Sequence, residues 1–321
     1  MEILIQLVLL AVGFVMLIKG ADWFVDGAAG IAAKLGIPQL VIGLTIVAMG
    51  TSAPEAAVSL SAAFKGAADI TIGNIVGSNI MNILIILGLS AVITPLKVAK
   101  STIRYELPFM ILITVILMVL GLSGTITFFN GIILWIFFII YFIYLVILTK
   151  KQPGSIGNDR AAGTTGSVEE APKDISIPKA LLLVVIGMVL IIAGSNIAVD
   201  AATELARTFG LSERFIGLTI VALGTSLPEL VTSVLAARKG NADIAIGNIV
   251  GSNIFNILFV VGTSALIIPI PFAQAFITDF AVAAAAAVLL WICCFRKQSL
   301  GRFAGILMLV CYAAYFGIWL M

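Results

Sequence analysis

The chain has 321 residues, 61% hydrophobic and 11% charged, with a mean hydropathy of +1.21 and a net charge of +2. A soluble domain is closer to half apolar and a quarter charged, so this composition excludes one and points to a chain whose solvent is mostly lipid. No basic cluster suggests a nucleic-acid partner, the absence of histidine removes the usual pH switch and the commonest transition-metal ligand, and the odd set Cys293, Cys294 and Cys311 argues against a disulfide framework.

A membrane-crossing helix needs about 20 apolar residues. Ten stretches meet that need: 3–22, 38–64, 70–95, 104–122, 126–148, 179–205, 212–238, 244–268, 274–295 and 302–320. The first lacks a basic leader and runs into further spans, so it reads as a mature span rather than a cleaved signal. Between the fifth and sixth lies KKQPGSIGNDRAAGTTGSVEEAPKD, rich in Gly, Ser, Pro and charge, which reads as a flexible linker. The expected organisation is a five-helix unit (1–148), a linker (149–178) and a second five-helix unit (179–321).

The two units carry the same text. IGLTIVAMGTSAPE from Ile42 returns as IGLTIVALGTSLPE from Ile216, and GNIVGSNIMNIL from Gly73 returns as GNIVGSNIFNIL from Gly247, all 174 positions on. GADWFVDGA from Gly20 aligns with GSNIAVDAA from Gly194 at the same offset. Five crossings per unit is an odd number, so the second unit enters the membrane upside down and the fold class expected is an all-α polytopic membrane protein of ten transmembrane helices in two inverted-topology repeats. Basic residues orient it. The loops after spans 1, 3, 5, 7 and 9 hold most of the Lys and Arg, from Lys34 to Arg302, while the opposite side holds only Lys65, Arg207 and Arg214, with Lys19 ambiguous. The rich side is cytoplasmic by the positive-inside rule, which puts the linker inside and both termini outside a plasma or inner membrane.

In span 2, Gly50 and Pro54 weaken or break the helix, and a backbone carbonyl one turn before the proline loses its donor. Carbonyls near Ala48 and Met49, the hydroxyls of Thr51 and Ser52, and the Glu55 carboxylate then form an oxygen-rich cluster. Span 7 repeats it with Ala222, Thr225, Ser226, Pro228 and Glu229. In span 3, Ser78 and Asn82 share a helix face while Asn79 lies on another; span 8 repeats this with Ser252, Asn253 and Asn256. Two carboxylates with carbonyls, hydroxyls and amides, and no thiolate or imidazole, suit hard cations such as Ca2+ or Na+. Acids deep in a membrane point to function, whereas the repeated glycines fit helix packing. Asp69 and Asp243 fit helix starts, and Asp26 and Asp200 fit interfacial placement at the ends of spans 1 and 6.

The duplicated G-T-S-x-P-E and G-N-x-x-G-S-N motifs resemble the α-repeats of the sodium/calcium exchangers, over residues 20–95 and 194–269. The resemblance implies a cation site between spans 2, 3, 7 and 8, with spans 1 and 6 sliding across the core to open it to either side. It implies Ca2+ ligands at Glu55 and Glu229 with the carbonyls of Thr51 and Thr225. It implies Na+ ligands at those glutamates, Ser52, Ser226, Ser78, Ser252 and the Ala48 and Ala222 carbonyls. Some relatives carry an acid where this chain has Asn82 and Asn256, so two glutamates set the central charge at −2 and a potassium-dependent exchanger is disfavoured. The short linker leaves no room for calcium-sensing regulatory domains. No cofactor, catalytic residue or obligatory protein partner is expected.

The function implied is electrogenic antiport of Na+ against Ca2+. The nearest alternative is a proton/calcium antiporter, whose branch typically carries G-N-x-x-E where this chain has G-T-S-x-P-E. A cation channel and an intramembrane enzyme are further alternatives.

Overall fold

A computed structural model describes residues 2–66, 68–151, 175–210 and 222–320. Nearly all of them are helical, as apolar surroundings require, since a helix satisfies its backbone groups within one segment. In chain order the helices are α1 (Glu2–Leu35), α2 (Gln39–Thr51), α3 (Ala53–Phe64), α4 (Ile70–Ile93), α5 (Thr102–Gly121) and α6 (Phe128–Lys151). There follow α7 (Ile177–Thr208), α8 (Ala222–Thr225), α9 (Leu227–Arg238), α10 (Ala242–Ile267), α11 (Ala275–Phe295) and α12 (Arg302–Leu320).

Among the described residues, seven helices are long and apolar enough to cross a membrane; α2 and α3, bent by 51°, form an eighth span if taken together. Helix α12 is a shorter apolar helix. Expected span 7 is represented by α8 and α9, and residues 211–221, which include its first part, lie outside the described residues, as does most of the linker. Span 1 runs well past its expected end at residue 22, to Leu35, whereas span 6 ends at Thr208, close to the expected 205. Asp26 and Asp200 lie inside these helices, Asp26 paired with Lys239 and Asp200 exposed, because a helix continues where its charges find solvent or a partner.

Proline starts several of these helices. Pro54 and Pro228 occupy the first turns of α3 and α9, where a missing N–H leaves no bond unmade. Gly66 (φ +78°) and Gly240 (φ +76°) follow the ends of the same two helices in the left-handed conformation that only glycine adopts readily.

Helices α4 and α10 form the centre. Over its most apolar 18-residue stretch, α10 is 94% buried and α4 78%, against 17% for that of α1. Helices α1 and α7 lie together at the periphery, in antiparallel contact along glycines. A β-carbon on Gly13 would sit 2.8 Å from the Gly194 carbonyl oxygen, and one on Gly20 would sit 2.8 Å from that of Gly187. Gly13 and Gly187 are repeat mates, as are Gly20 and Gly194, so these two contacts map onto each other when the halves are exchanged. The same exchange relates two short antiparallel ribbons. β1 (Leu96–Lys97) pairs with β4 (Ser299–Leu300), with Leu96 opposite Leu300, and β2 (Thr125–Ile126) pairs with β3 (Ile270–Pro271), with Ile126 opposite Ile270.

Candidate cation site

The site forms where both helix breaks face the buried pair α4 and α10. Ser52 ends α2 with φ −82° and ψ 6°, and Ser226 separates α8 from α9 with φ −93° and ψ 4°. Each break turns the next helix so that its first turn carries a glutamate inward. Glu55 and Glu229 are both 1% exposed, and the two carboxylates lie within electrostatic reach of each other. The Ser52 hydroxyl donates to Glu229 Oε1 at 2.9 Å, joining the first half's break to the second half's acid.

Cross-bonded amides fill the space between α4 and α10. Asn79 Nδ2 donates to the Asn253 carbonyl (3.4 Å) and Asn253 Nδ2 donates to the Asn79 carbonyl (3.2 Å). Asn82 Nδ2 donates to Asn253 Oδ1 (2.9 Å), and Asn256 Nδ2 to Asn79 Oδ1 (3.2 Å). With their amide nitrogens spent in this way, Asn82 and Asn256 keep their Oδ1 atoms buried and unpartnered. Glu55 Oε2 and Glu229 Oε2 are buried and unpartnered too, as is the Ser226 hydroxyl. Four acceptor oxygens, in two repeat-related pairs, thus lack donors at the centre of the molecule. Buried acceptors are rarely left so, and a cation is the partner that oxygens of this kind accept. Asn82 and Asn256 each open a π-helical turn, Asn82–Leu87 and Asn256–Val261, a feature that recurs at functional sites.

The remaining expected ligands gather here with partners of their own. Thr51 donates to Asn248 Oδ1 at 2.9 Å, and Ser252 donates to the Ala48 carbonyl at 3.4 Å. That Ala48 carbonyl is not left free by the break, as the sequence led us to expect: it also receives the Ser52 N–H at 3.0 Å, since the proline removes the donor owed to Gly50 instead. Ser78 is buried at the same level of α4. Thr225 closes α8, and Ala222 is its first residue.

Two pairs were missed in the sequence. Asn74 Nδ2 donates to Ser59 Oγ (3.0 Å) and to the Glu55 carbonyl (3.3 Å), while Asn248 Nδ2 donates to Ser233 Oγ (2.9 Å). These bonds fasten α3 to α4 and α9 to α10, fixing the turns that carry the glutamates. The common offset of Asn74 with Asn248, and of Ser59 with Ser233, was the available signal. Asn79 and Asn253, read as facing elsewhere, are the central cross-link.

Beyond the centre, α1 is tied to α9 by an ion-pair clamp. Lys239 Nζ lies 2.6 Å from both Asp22 Oδ1 and Asp26 Oδ1, and donates to the Asp22 carbonyl at 3.1 Å. On the other half, Ser195 of α7 donates to the Gly224 carbonyl at 2.9 Å.

A family model described as sodium/calcium exchanger protein matches residues 5–150 and 179–321. The chain is 38% identical over 307 residues to the inner membrane protein YrbG of Escherichia coli (95% of this chain, 94% of that one). It is 32% identical over 344 residues to the sodium/calcium exchanger MaX1 of Methanosarcina acetivorans (98% of each). Its structure superimposes on a solved structure of the sodium-calcium exchanger NCX_Mj with a TM-score of 0.82 at 32% identity, covering 98% of this chain and 99% of that one. With a duplicated, oxygen-lined centre inside a multi-pass helical membrane protein, the chain belongs to the sodium/calcium exchanger family and is a cation antiporter rather than an enzyme.

Proposed function

We propose that this protein exchanges Na+ for Ca2+ by alternating access, with one central site holding either one Ca2+ or a set of Na+. The observation that carries the reading is the four buried, unpartnered acceptors, Glu55 Oε2, Glu229 Oε2, Asn82 Oδ1 and Asn256 Oδ1. Glu55 and Glu229, with the Thr51 and Thr225 carbonyls, hold Ca2+. Na+ is held by the same acids with Ser52, Ser226, Ser78, Ser252 and the Ala48 and Ala222 carbonyls, while Asn82 and Asn256 line the space between. Ser252 and the Ala48 carbonyl, now bonded to each other, part around an incoming Na+.

Two buried carboxylates are costly to carry across a low-dielectric barrier without counter-charge. Only loaded states cross, and that restriction couples the two ions. Exchange of three Na+ for one Ca2+ moves one net charge, worth about 2.3 kcal/mol per 100 mV. A sodium gradient directed inward and a negative interior then drive Ca2+ out.

The architecture we infer is ten spans in two inverted units, 1–148 and 179–321, joined by a cytoplasmic linker, 149–178, with both termini outside. The antiparallel α1–α7 contact and the exchanged ribbon pairs support the inversion. The Lys and Arg distribution supports the orientation.

The test is radioactive calcium uptake into proteoliposomes loaded with sodium and diluted into sodium-free buffer, beside vesicles carrying only a pH gradient. Uptake that requires internal sodium is expected. Uptake driven by the pH gradient alone would move the protein to proton coupling, and uptake that needs no counter-ion would make it a channel.

A further inference from the structure

Among the described residues a third acid is buried, and the repeated motif has no use for it. Glu106, in the first turns of α5, is 1% exposed, and its repeat mate is Phe280. It closes a π-helical turn, Thr102–Glu106, whose Ile103 carbonyl is held by Trp291 Nε1 of α11 at 2.8 Å. The Tyr144 hydroxyl of α6 donates to Glu106 Oε1, but Oε2 is buried with no partner. Two further buried hydroxyls, within electrostatic or hydrogen-bonding reach of the carboxyl, have no partner. Thr102 Oγ1, on the same turn, lies near the carboxyl without a well-formed hydrogen bond, and the buried hydroxyl of Tyr141, whose ring stacks on Phe109 at 5.5 Å, has none. Asp243, at the start of α10, is within electrostatic reach and adds negative potential. No lysine or arginine among the described residues forms an ion pair with Glu106.

Glu106 Oε2 and two hydroxyl oxygens, all buried and none hydrogen-bonded, make an oxygen-only cluster with one formal negative charge. From this geometry we propose that Glu106, Thr102 and Tyr141 form a second cation position, separate from the Glu55–Glu229 centre, that takes a single monovalent cation, Na+ or H+. Na+ would accept all three oxygens as ligands. A proton on Oε2 would turn that atom into a donor to Thr102 or Tyr141. A divalent ion has too little negative charge in direct contact here. The cluster joins the start of α5 to α6 and α10, so its occupancy bears on how those helices pack and not on the transported ions directly.

The experiment uses the full chain carrying Glu55→Gln and Glu229→Gln, which removes the central acids. On it we would measure radioactive sodium binding and the infrared carboxylic-acid band as a function of pH. The expected result is either saturable sodium binding of one ion per chain or a carboxylic-acid band that titrates with pH, and either signal is lost on adding Glu106→Gln. Sodium binding assigns the ion as Na+; a titrating band without it assigns H+. Should Glu106→Gln fail to fold, Tyr141→Phe replaces it: it deletes only an unpartnered hydroxyl, yet should weaken sodium binding or shift the titration. A signal indifferent to both substitutions, or a band that never titrates, overturns the proposal.

Discussion

The two ends of the molecule are built from the same repeated text and stand in different states. At one end Lys239 gathers Asp22 and Asp26, and α1 packs along α9. At the other end the repeat mates are Lys65, Asn196 and Asp200. Lys65 and Asp200 are exposed and make no ion pair with each other, and no comparable packing of α7 on α3 exists among the described residues. The centre between them is nearly symmetric: each amide bond from Asn79 or Asn82 has its mate from Asn253 or Asn256. Near-symmetry at the proposed cation site with asymmetry at the two ends fits the alternating carrier proposed above, in which exchanging the conformations of the halves would open one end and close the other. Lys239 lies on the side rich in Lys and Arg, so in the proposed orientation the clamped, packed state is that of the cytoplasmic end.

The clamp is too exposed to lock that state. Lys239 is 23% exposed and its partners 35% and 46%, and such pairs contribute about 1 kcal/mol at most, roughly a five-fold bias. The ends should therefore be easy to perturb and the centre should not.

The largest effect is expected at the symmetric centre. Glu55→Gln and Glu229→Gln should each abolish calcium transport, since each removes half of the site's charge; normal flux through both variants would sink the ligand assignment. Next come the glycine contacts. Gly20→Ala places a β-carbon 2.8 Å from the Gly187 carbonyl oxygen, and overpacking of that kind costs about 1–3 kcal/mol. Slowed transport with equilibrium calcium binding retained would mark the α1–α7 seam as a moving surface; unchanged flux would show that it does not move. A smaller loss is expected for Asn248→Ala, which leaves Thr51 and Ser233 without their partner. Buried hydrogen-bond losses run to about 1–3 kcal/mol, shared here between stability and calcium affinity. A melting curve beside a calcium titration separates those shares.

The smallest effect tests the ends. Lys239→Met should raise cytoplasmic accessibility of α1 by no more than about five-fold, read by hydrogen exchange or thiol labelling. A Lys65→Cys/Asp200→Cys pair should cross-link only in the state opposite to this one. Cross-linking that is equal under every ionic condition would contradict an exchange of conformations.

Much of this was legible because lipid leaves so few choices. The apolar runs place most helices close to where they lie, and Pro54 and Pro228 mark both breaks, since a proline has no N–H with which to continue the helical ladder. The shared offset also pointed to Glu55 and Glu229 as equals. Periodicity does not say where a helix ends in solvent, so α1 was expected to stop near Asp22 although it runs to Leu35. It does not show which repeated amides meet, so Asn79 and Asn253, on the far face by helical spacing, were not read as the bridge between halves. Nor does it reveal the π-helical turns that begin at Asn82 and Asn256. Glu106 carries no repeat signature and was passed over for that reason.

The most direct test of a single shared site is calcium binding to the purified protein at rising sodium concentration, repeated in Glu55→Gln and Glu229→Gln. The account predicts that sodium raises the apparent calcium dissociation constant without lowering the number of sites, and that each substitution removes calcium binding and its competition with sodium together. Sodium that lowers site number without changing affinity, or calcium binding that survives in both variants, would contradict it.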